Sequence, residues 1–301
     1  MHTRAVGTLA TALAAASALF LPVSQTRAAD AQRPQPVVVA QRPQPVIVAH
    51  RGASSHAPEN TLPAVDRAAA LGFSWVENDV QRTKDGELVV VHDTTLKRTT
   101  NVERIFPGRA PWKVKDFTAA EIARLDAGSW FSLAFAGTRV PTLDQYLRRI
   151  EHNHEKLLLE IKNPELYPGI EAQTLKVLAN DGWLDHRHLA DRLIVQSFSA
   201  DSVRAVHRLK PAVRTAYLGR PDTAELRRYA TFVDLINPSY PTLSADYVAA
   251  AHAHRGPHGA PLRVFAWTVD DASGARTVAG YGVDGVITNK PDVVRAVLKT
   301  V

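Results

Sequence analysis

Histidines, carboxylates and basic side chains stand at or near the ends of four short apolar runs of this sequence. They are His50 and Arg51, Glu77 and Asp79, His92, and Glu160 and Lys162. If the runs are strands of a parallel barrel, their carboxyl ends meet around one opening, and the side chains at these ends project into it. We therefore predict that these residues share one site.

The three acidic residues of this set predict a metal site. Glu77 and Asp79 are two residues apart, so they lie on one face of a strand, and Glu160 belongs to a separate run. Three carboxylates inside a barrel repel one another unless a cation compensates their charge. The sequence has no cysteine, and ligands that are all oxygen favour one divalent cation, Ca2+ or Mg2+, over a structural zinc. The alternative is that one acid faces the outer helices or pairs with Arg or Lys.

The histidines and basic residues add proton transfer and anion binding to such a site. A hard cation, together with Arg51 and Lys162, can offset negative charge on phosphoryl oxygens. One of His50 and His92 can take a proton from an attacking oxygen while the other protonates a leaving alcohol. These residue types therefore favour cleavage of a phosphodiester, and they leave open which histidine is the acid and which is the base.

The elements that must position these residues are short β-branched runs that alternate with helical patterns from residue 46 onward, which is typical of parallel βα units. The chain has 301 residues, 45% of them hydrophobic, and a barrel of this type takes about 250 residues. Nine runs compete for eight places: 46–50, 74–80, 87–92, 157–162, 192–197, 213–218, 232–236, 263–268 and 284–288. We predict an α/β fold, a (β/α)8 TIM barrel, with a short insertion after the third strand at about residues 94–140.

The second and third runs are joined by only six residues, QRTKDG. A parallel crossover needs a dozen or more residues, so these two strands are predicted to be antiparallel and to turn at Asp85-Gly86. If the turn is symmetric about that dipeptide, residue 92 faces residue 79. His92 would then lie beside Asp79.

The N-terminal residues predict export from the cell. Arg4 precedes an apolar stretch at 9–21, and small residues follow, which is typical of a signal peptide at 1–28 that is cleaved within about 28–31. Residues 29–45 form a linker rich in Pro and Gln, which carries most of a tandem repeat, QRPQPVVVA and QRPQPVIVA. The barrel domain is assigned to 46–301. The protein is thus expected to be secreted, with no stable membrane anchor.

Charge argues against one class of partner. The formal net charge is +6, and loss of the two arginines in residues 1–28 leaves +4. Lys and Arg are scattered, without the long basic run that would indicate nucleic acid. The expected partner is a small molecule, and the sequence leaves the oligomeric state open.

The segment HRGASSHAPENTLPAVDRAAALGFSWVENDVQRTKDGELVVVHD, residues 50–93, resembles the glycerophosphodiester phosphodiesterases. The resemblance continues with LEIKNP at 159–164, VQSFS at 195–199, AWTVD at 266–270 and DGVITNKPD at 284–292. It implies a (β/α)8 barrel that uses a divalent cation to hydrolyse glycerophosphodiesters to glycerol 3-phosphate and an alcohol.

The resemblance also implies a role for each site residue. His50 and His92 become the acid/base pair, and Arg51 and Lys162 bind phosphate. The implied metal ligands are Glu77, Asp79 and Glu160. Trp267 matches a position that lines the substrate pocket in the family, with barrel core as the alternative.

Two residues of the APENT motif and one departure from the family pattern complete the analysis. Glu59 and Asn60 are expected to position the site, with Glu59 a metal or His50 partner; the alternative for Asn60 is a helix-start cap. Where the family commonly has Asp after Thr, this chain has Thr288-Asn289. Asn keeps the hydrogen-bonding shape of Asp and loses its charge.

Two other functions stay open at this point. The same barrel type serves phospholipases of the C and D kinds, which would make lysolipids the substrate. A catalytically silent protein could instead use the barrel to capture glycerophosphodiesters, although binding alone does not require two proton-transfer groups.

Overall fold

The computed structural model describes residues 44–300, and the predicted signal peptide and most of the linker lie outside the described residues. The strands are β1 (Val46–Ala49), β2 (Trp75–Arg82), β3 (Leu88–Val90), β4 (Lys156–Ile161), β5 (Leu193–Ser197), β6 (Arg214–Leu218), β7 (Leu235–Asn237), β8 (Arg263–Ala266) and β9 (Gly285–Thr288). Each of the nine predicted runs overlaps one of these strands.

The α-helices are α1 (Leu62–Ala70), α2 (Val102–Ile105), α3 (Ala119–Ile122), α4 (Leu143–His152), α5 (Ile170–Asn180), α6 (His186–Asp191), α7 (Ala200–Leu209), α8 (Leu226–Tyr229), α9 (Ala245–His252), α10 (Ala272–Tyr281) and α11 (Pro291–Leu298). Short 3-10 helices span Pro107–Arg109, Val114–Asp116, Leu133–Phe135, Pro164–Leu166, Thr223–Glu225 and Tyr240–Thr242. No helix within residues 44–300 is both long and apolar enough to span a bilayer.

Eight of the strands form a closed parallel ring. β1 pairs with both β2 and β9, and the order around the ring is β1, β2, β4, β5, β6, β7, β8, β9. β3 lies outside the ring and pairs antiparallel with β2. The predicted (β/α)8 barrel is confirmed, and the ninth run is the one that takes no place in the ring.

One side chain from each ring strand fills the centre of the barrel. These are Val48, Trp75, Leu158, Ile194, Ala216, Leu235, Phe265 and Ile287. Because side chains alternate along a strand, the residue two positions further on also faces inward, nearer the carboxyl end. Those residues are His50, Glu77, Glu160, Gln196, Leu218, Asn237, Trp267 and Asn289. A mostly polar layer therefore lies directly beyond the apolar one.

The other face of each ring strand packs against the surrounding helices. In β4, Leu157, Leu159 and Ile161 belong to the cluster between barrel and helices, whereas Leu158 faces the barrel interior. Strands covered on both faces are expected to read as nearly continuous apolar runs. The charged residues that interrupt these runs are thus exceptions that need a reason.

The insertion after β3 has a small core of its own. Val89 and Val91 pack with Leu96, Phe117 and Leu125, among others, in a cluster separate from those around the barrel. Thr118 begins α3 with a capping box, in which its side chain and that of Glu121 each accept a backbone N–H. The insertion therefore packs on the hairpin strand β3.

Gly52, just after β1, approaches α1 too closely for any side chain. Its φ is +79°, and a Cβ at this position would lie 2.7 Å from the backbone carbon of Ala64. Gly72 has nearly the same φ, +78°, but a Cβ there would meet only the end of the Arg295 side chain, at 3.6 Å. The two glycines share a left-handed backbone, which would strain any other residue, and they differ in the space available to a Cβ.

We expect Gly72→Ala to lower the free energy of unfolding by about 1–2 kcal/mol, the cost of the left-handed backbone alone. Gly52→Ala should cost about 1–3 kcal/mol more, because α1 must also move. Urea denaturation of both variants measures the difference. Equal losses would contradict the close approach between Gly52 and α1.

Candidate functional site

A cavity of about 70 Å³ lies at the carboxyl end of the barrel. Its lining residues are His50, Arg51, Glu77, His92, Glu160, Lys162, Gln196, Phe198, Leu218, Trp267, Thr268 and Ile287. The structure thus brings seven of the predicted site residues to one cavity. Asp79 is fully buried and lies beside them, within reach of Arg51 and Lys162.

Three carboxylates meet at this cavity. Glu77, Asp79 and Glu160 each offer an oxygen, and these oxygens all lie within 4.8 Å of one another. The register explains the meeting, because Asp79 pairs with Glu160 across β2 and β4. Within residues 44–300 this is the one set of three such side chains close enough to share a metal ion.

Burial makes the charge of this cluster unfavourable. It raises the pKa of Glu160 to about 8, and burial together with Asp79 and Glu160 raises the pKa of Glu77 well above its ordinary value. Burial also acts to raise the pKa of Asp79, but Arg51 and Lys162 overcome this and lower it. Glu77 Oε1 and Asp79 Oδ1 accept no hydrogen bond. Buried oxygens without partners suit a hard divalent cation.

The basic residues hold part of the cluster. Lys162 Nζ lies 2.7 Å from Glu160 Oε1 and 3.7 Å from Asp79 Oδ1. Arg51 Nε lies 3.4 Å from Asp79 Oδ2. Asp79 and Glu160 therefore pair with Arg51 or Lys162 and also belong to the carboxylate cluster. The two arrangements considered for these acids occur together.

Glu59 is bound by two arginines and is not one of the clustered carboxylates. It accepts a 2.8 Å hydrogen bond from Arg51 and two more from Arg98, at 2.7 and 2.8 Å. Arg98 also donates to Asp93, the residue after His92. Glu59 is a neighbour of the cluster through Arg51.

Asn60 orients Asp79. Its Nδ2 donates to Asp79 Oδ2 at 2.7 Å, and its own backbone N–H donates to the carbonyl of Arg51 at 2.9 Å. Asn60 and Arg51 both have left-handed backbone, with φ of 59° and 57°. The helix-start alternative does not hold, because Thr61 occupies the N-cap of α1. Strained backbone at two neighbouring site residues is typical of functional positions.

His50 is buried and bonds to an amide. Its Nδ1 lies 2.7 Å from Asn289 Oδ1, and its Nε2 lies 3.8 Å from Glu77 Oε2. Burial, followed by the nearby charge of Arg51, lowers the pKa of His50 to about 4. The imidazole is therefore neutral at ordinary pH, with one nitrogen directed at the carboxylates.

His92 bonds to a carboxylate. Its Nδ1 lies 2.7 Å from Asp93 Oδ1. Hydrogen bonds from Arg98 and His92 lower the pKa of Asp93, so this carboxylate stays ionised. The two histidines thus have different partners.

The hairpin that carries His92 is antiparallel, as predicted. The predicted register was wrong by one residue. Val91 N–H, and not that of His92, donates to the carbonyl of Asp79. The turn is closed between Thr83 and Glu87 and contains three residues, with Gly86 at φ +94°. A three-residue turn is centred on Asp85, which shifts every pair by one position from the symmetric Asp85-Gly86 turn.

Trp267 serves both of the roles considered for it. Its ring lines the cavity and also packs against the apolar interior of the barrel. Its Nε1 donates to the carbonyl of Asn237 at 2.6 Å, and Phe198 stacks edge-to-face on it at 5.5 Å. Phe198 is 50% exposed, so it forms an apolar edge of the cavity mouth.

Sequence reasoning missed several residues of this region. Gln196 and Asn237 lie in the polar layer and bond to each other at 2.8 Å. Each stands two residues beyond an apolar residue of the barrel centre, Ile194 and Leu235, so counting by two along each run would have found them. Arg98 could not be found this way, because it lies in the insertion.

This protein has a closed (β/α)8 barrel with a polar cavity at the carboxyl ends of its strands, which is where enzymes of this fold have their active sites. The model of one family, described as the glycerophosphoryl diester phosphodiesterase family, matches residues 50–293. The chain belongs to this family, and the resemblance identified from its motifs is confirmed.

Two relatives and one solved structure give the extent of the similarity. A glycerophosphodiester phosphodiesterase of Bacillus subtilis is 34% identical over 264 residues, which cover 83% of this chain and 85% of the relative. One from Caldanaerobacter subterraneus is 36% identical over 246 residues, 81% of this chain and 93% of the relative. An Oleispira antarctica phosphodiesterase, solved in complex with the product sn-glycerol-3-phosphate, is 27% identical with a TM-score of 0.72, covering 85% of this chain and 97% of its own.

In protein treated with EDTA, we expect stability to fall as the pH rises from 5 to 8. The folded protein keeps a proton on Glu160 up to about pH 8, whereas the unfolded chain releases it near pH 4.5. Between these values the unfolded chain binds fewer protons, so rising pH favours unfolding, by roughly 2 kcal/mol or more. Urea denaturation at both pH values measures the fall.

Two variants separate the cluster from other buried acids. In the unchanged protein, added Ca2+ or Mg2+ should restore the stability that is lost between pH 5 and 8. Glu160→Gln should reduce both this loss of stability and the part of it that the cation restores. Glu155, whose pKa burial also raises to about 8, lies outside the cavity, so Glu155→Gln should reduce the fall and leave the response to the cation intact. A Glu160→Gln protein with the full dependence on pH and cation would contradict this account.

Proposed function

We propose that this chain hydrolyses glycerophosphodiesters to sn-glycerol 3-phosphate and an alcohol, with one divalent cation and with His50 and His92 as the acid/base pair. The observation that carries the proposal is the cavity in which two differently partnered histidines lie around a buried carboxylate cluster. The family membership supports the reaction class, and the product held by the Oleispira antarctica relative supports the substrate class.

The charges of the cavity favour an anionic substrate once a cation is present. Glu77, Asp79 and Glu160 carry three negative charges when ionised, and Arg51 and Lys162 carry two positive ones. The local sum is −1, which a divalent cation changes to +1, and a phosphodiester carries −1. The cation is therefore needed for charge complementarity as well as for stability of the cluster.

Glu77, Asp79 and Glu160 would hold this cation, and Ca2+ and Mg2+ are the candidates because every ligand is oxygen. When bound, it supplies Lewis-acid stabilisation of charge on the phosphoryl oxygens. Lys162 and Arg51 line the same cavity, and their N–H groups can donate to those oxygens while keeping their carboxylate partners.

The surroundings of the histidines favour one assignment of acid and base. His50 is neutral, with Nδ1 bonded to Asn289, so its Nε2 can accept a proton from the water that attacks the phosphorus. His92 lines the same cavity with its Nδ1 bonded to Asp93, so we assign to it the proton that goes to the leaving alkoxide. The proton taken by the base and the proton given by the acid balance over the step.

The mouth of the cavity bears on the substrate. Phe198, which is half exposed, lies there against Trp267. We propose that the alcohol part of the diester lies beside these two rings. An assay of glycerophosphocholine against lysophosphatidylcholine, following glycerol 3-phosphate, choline and lysophosphatidic acid, distinguishes a glycerophosphodiesterase from a lysolipid-cleaving enzyme.

We also propose that the protein is exported, on the strength of the signal-like residues 1–28. Mass spectrometry of the protein recovered from the medium of its own host would give an N-terminus within about residues 29–32. Recovery of the uncut chain inside the cell would reject export.

Replacing either histidine should remove turnover while leaving the fold intact. We expect His50→Ala and His92→Ala each to lower kcat for glycerophosphocholine by about 100-fold or more, because each removes one proton transfer. His186→Ala, which changes an exposed histidine at the start of α6, is the matched control and should keep full activity. Activity near the control level in either active-site variant would reject that histidine as part of the acid/base pair, whereas no turnover in the unchanged protein would support the silent binding protein.

Chelation tests the metal site separately. Exhaustive EDTA treatment at pH 8 should abolish turnover and lower the melting temperature, since the ionised cluster then lacks compensation. Adding back Ca2+ and Mg2+ in separate experiments identifies the preferred ion across a panel of headgroups. Full turnover after chelation, with no change in melting temperature, would reject the metal site.

A further inference from the structure

His50 is connected to a carboxylate through an intervening amide. Asn289, just after β9, presents Oδ1 to His50 Nδ1 at 2.7 Å. Its Nδ2 donates to Asp270 Oδ2 at 2.6 Å. Asp270 lies beyond the end of β8. The connection joins the ends of three neighbouring ring strands, β1, β9 and β8.

Asp270 is held firmly by two further donors. The backbone N–H of Asn289 donates to Asp270 Oδ1 at 2.8 Å, and Thr288 Oγ1 donates to the same oxygen at 3.1 Å. Both carboxylate oxygens therefore accept hydrogen bonds from the segment that follows β9. The position of Asp270 relative to Asn289 is fixed on both sides.

A carboxylate at this place determines which way the amide faces. An ionised carboxylate can only accept hydrogen bonds, so the NH2 group of Asn289 must face Asp270 and its oxygen must face His50. Ser54 Oγ also donates to Asn289 Oδ1, at 2.8 Å, which agrees with this orientation. The atom that faces His50 Nδ1 is thus an acceptor.

The orientation of the amide in turn determines the tautomer of His50. An acceptor opposite Nδ1 requires the imidazole proton to be on Nδ1, which leaves the lone pair on Nε2. Nε2 is the nitrogen nearer the carboxylate cluster, 3.8 Å from Glu77 Oε2. This is the tautomer that can take a proton inside the cavity.

We propose that Asp270 is a positioning residue that holds His50 in its proton-accepting tautomer by orienting the amide of Asn289. The inference rests on the proposed function only for its effect on turnover, because the tautomer is a property of the free protein. It also gives a role to the departure at Thr288-Asn289. An amide stands next to His50 at this position, and a carboxylate lies one hydrogen bond further from the histidine.

The informative change is Asp270→Asn. The donors from Asn289 N–H and Thr288 Oγ1 would hold the new amide oxygen, so its NH2 group would face Asn289. Two NH2 groups cannot bond to each other, so Asn289 would turn its oxygen toward position 270 and its NH2 toward His50. The proton of His50 should then move from Nδ1 to Nε2.

We expect 15N spectra of the imidazole to show protonated Nδ1 in the unchanged protein and protonated Nε2 in Asp270→Asn. For glycerophosphocholine, kcat should fall about 10- to 100-fold, the usual effect of losing the group that orients a site histidine or ligand. KM should change less than threefold, because Asp270 lies outside the cavity lining.

Two further variants make the test specific. Asp271→Asn is the matched control, because Asp271 caps α10 through Ser273 and Gly274 and Asn caps a helix about as well as Asp; it should leave the tautomer, kcat and melting temperature nearly unchanged. The exchange D270N/N289D restores an acceptor opposite His50 Nδ1 and a donor behind it. It should restore the Nδ1 proton and most of the lost kcat.

The spectra decide the inference even if the substrate is wrong. Protonated Nδ1 retained in Asp270→Asn would overturn it, as would an equal loss of kcat in Asp270→Asn and Asp271→Asn. If the unchanged protein fails to cleave glycerophosphocholine, the proposed function fails, while the tautomer of His50 still supports or rejects the role of Asp270.

Discussion

Mutual repulsion among three buried carboxylates is the interaction on which the site of this protein depends. Glu77, Asp79 and Glu160 are at most 5% exposed, and their oxygens lie within 4.8 Å of one another. Such a cluster is unfavourable unless cations and donors surround it. Lys162, Arg51 and Asn60 all lie against it, and together they leave unpartnered oxygens that a divalent cation can bind. The residues around the cluster are therefore best understood by what they do for its charge.

The two histidines differ in how much charge their partners carry. His50 bonds to the amide of Asn289, and the carboxylate of Asp270 lies one hydrogen bond further away. His92 bonds directly to Asp93, which Arg98 keeps ionised. One imidazole is thus oriented by an amide and the other by a carboxylate. The proposed acid/base pair would therefore consist of two histidines in different surroundings.

Sequence patterns that span only a few residues predicted much of the fold and the main site residues. Alternating runs identified the barrel, the six-residue link predicted the antiparallel β3, and charged residues at strand ends indicated Glu77, Glu160 and His50. The predicted register of the hairpin was wrong by one residue, because the turn contains three residues and the prediction assumed two. Asp270 and Arg98 escaped prediction, since their importance arises from contacts with residues 19 and 39 positions away.

Because β3 lies outside the closed ring, the protein divides the two parts of its chemistry between separate pieces of chain. The carboxylates and His50 are built on strands whose hydrogen bonds run around the barrel without β3, whereas His92 follows a hairpin strand that packs with the insertion. The position of His92 thus depends on the packing of the insertion core as well as on the barrel, whereas the position of His50 depends on the barrel alone.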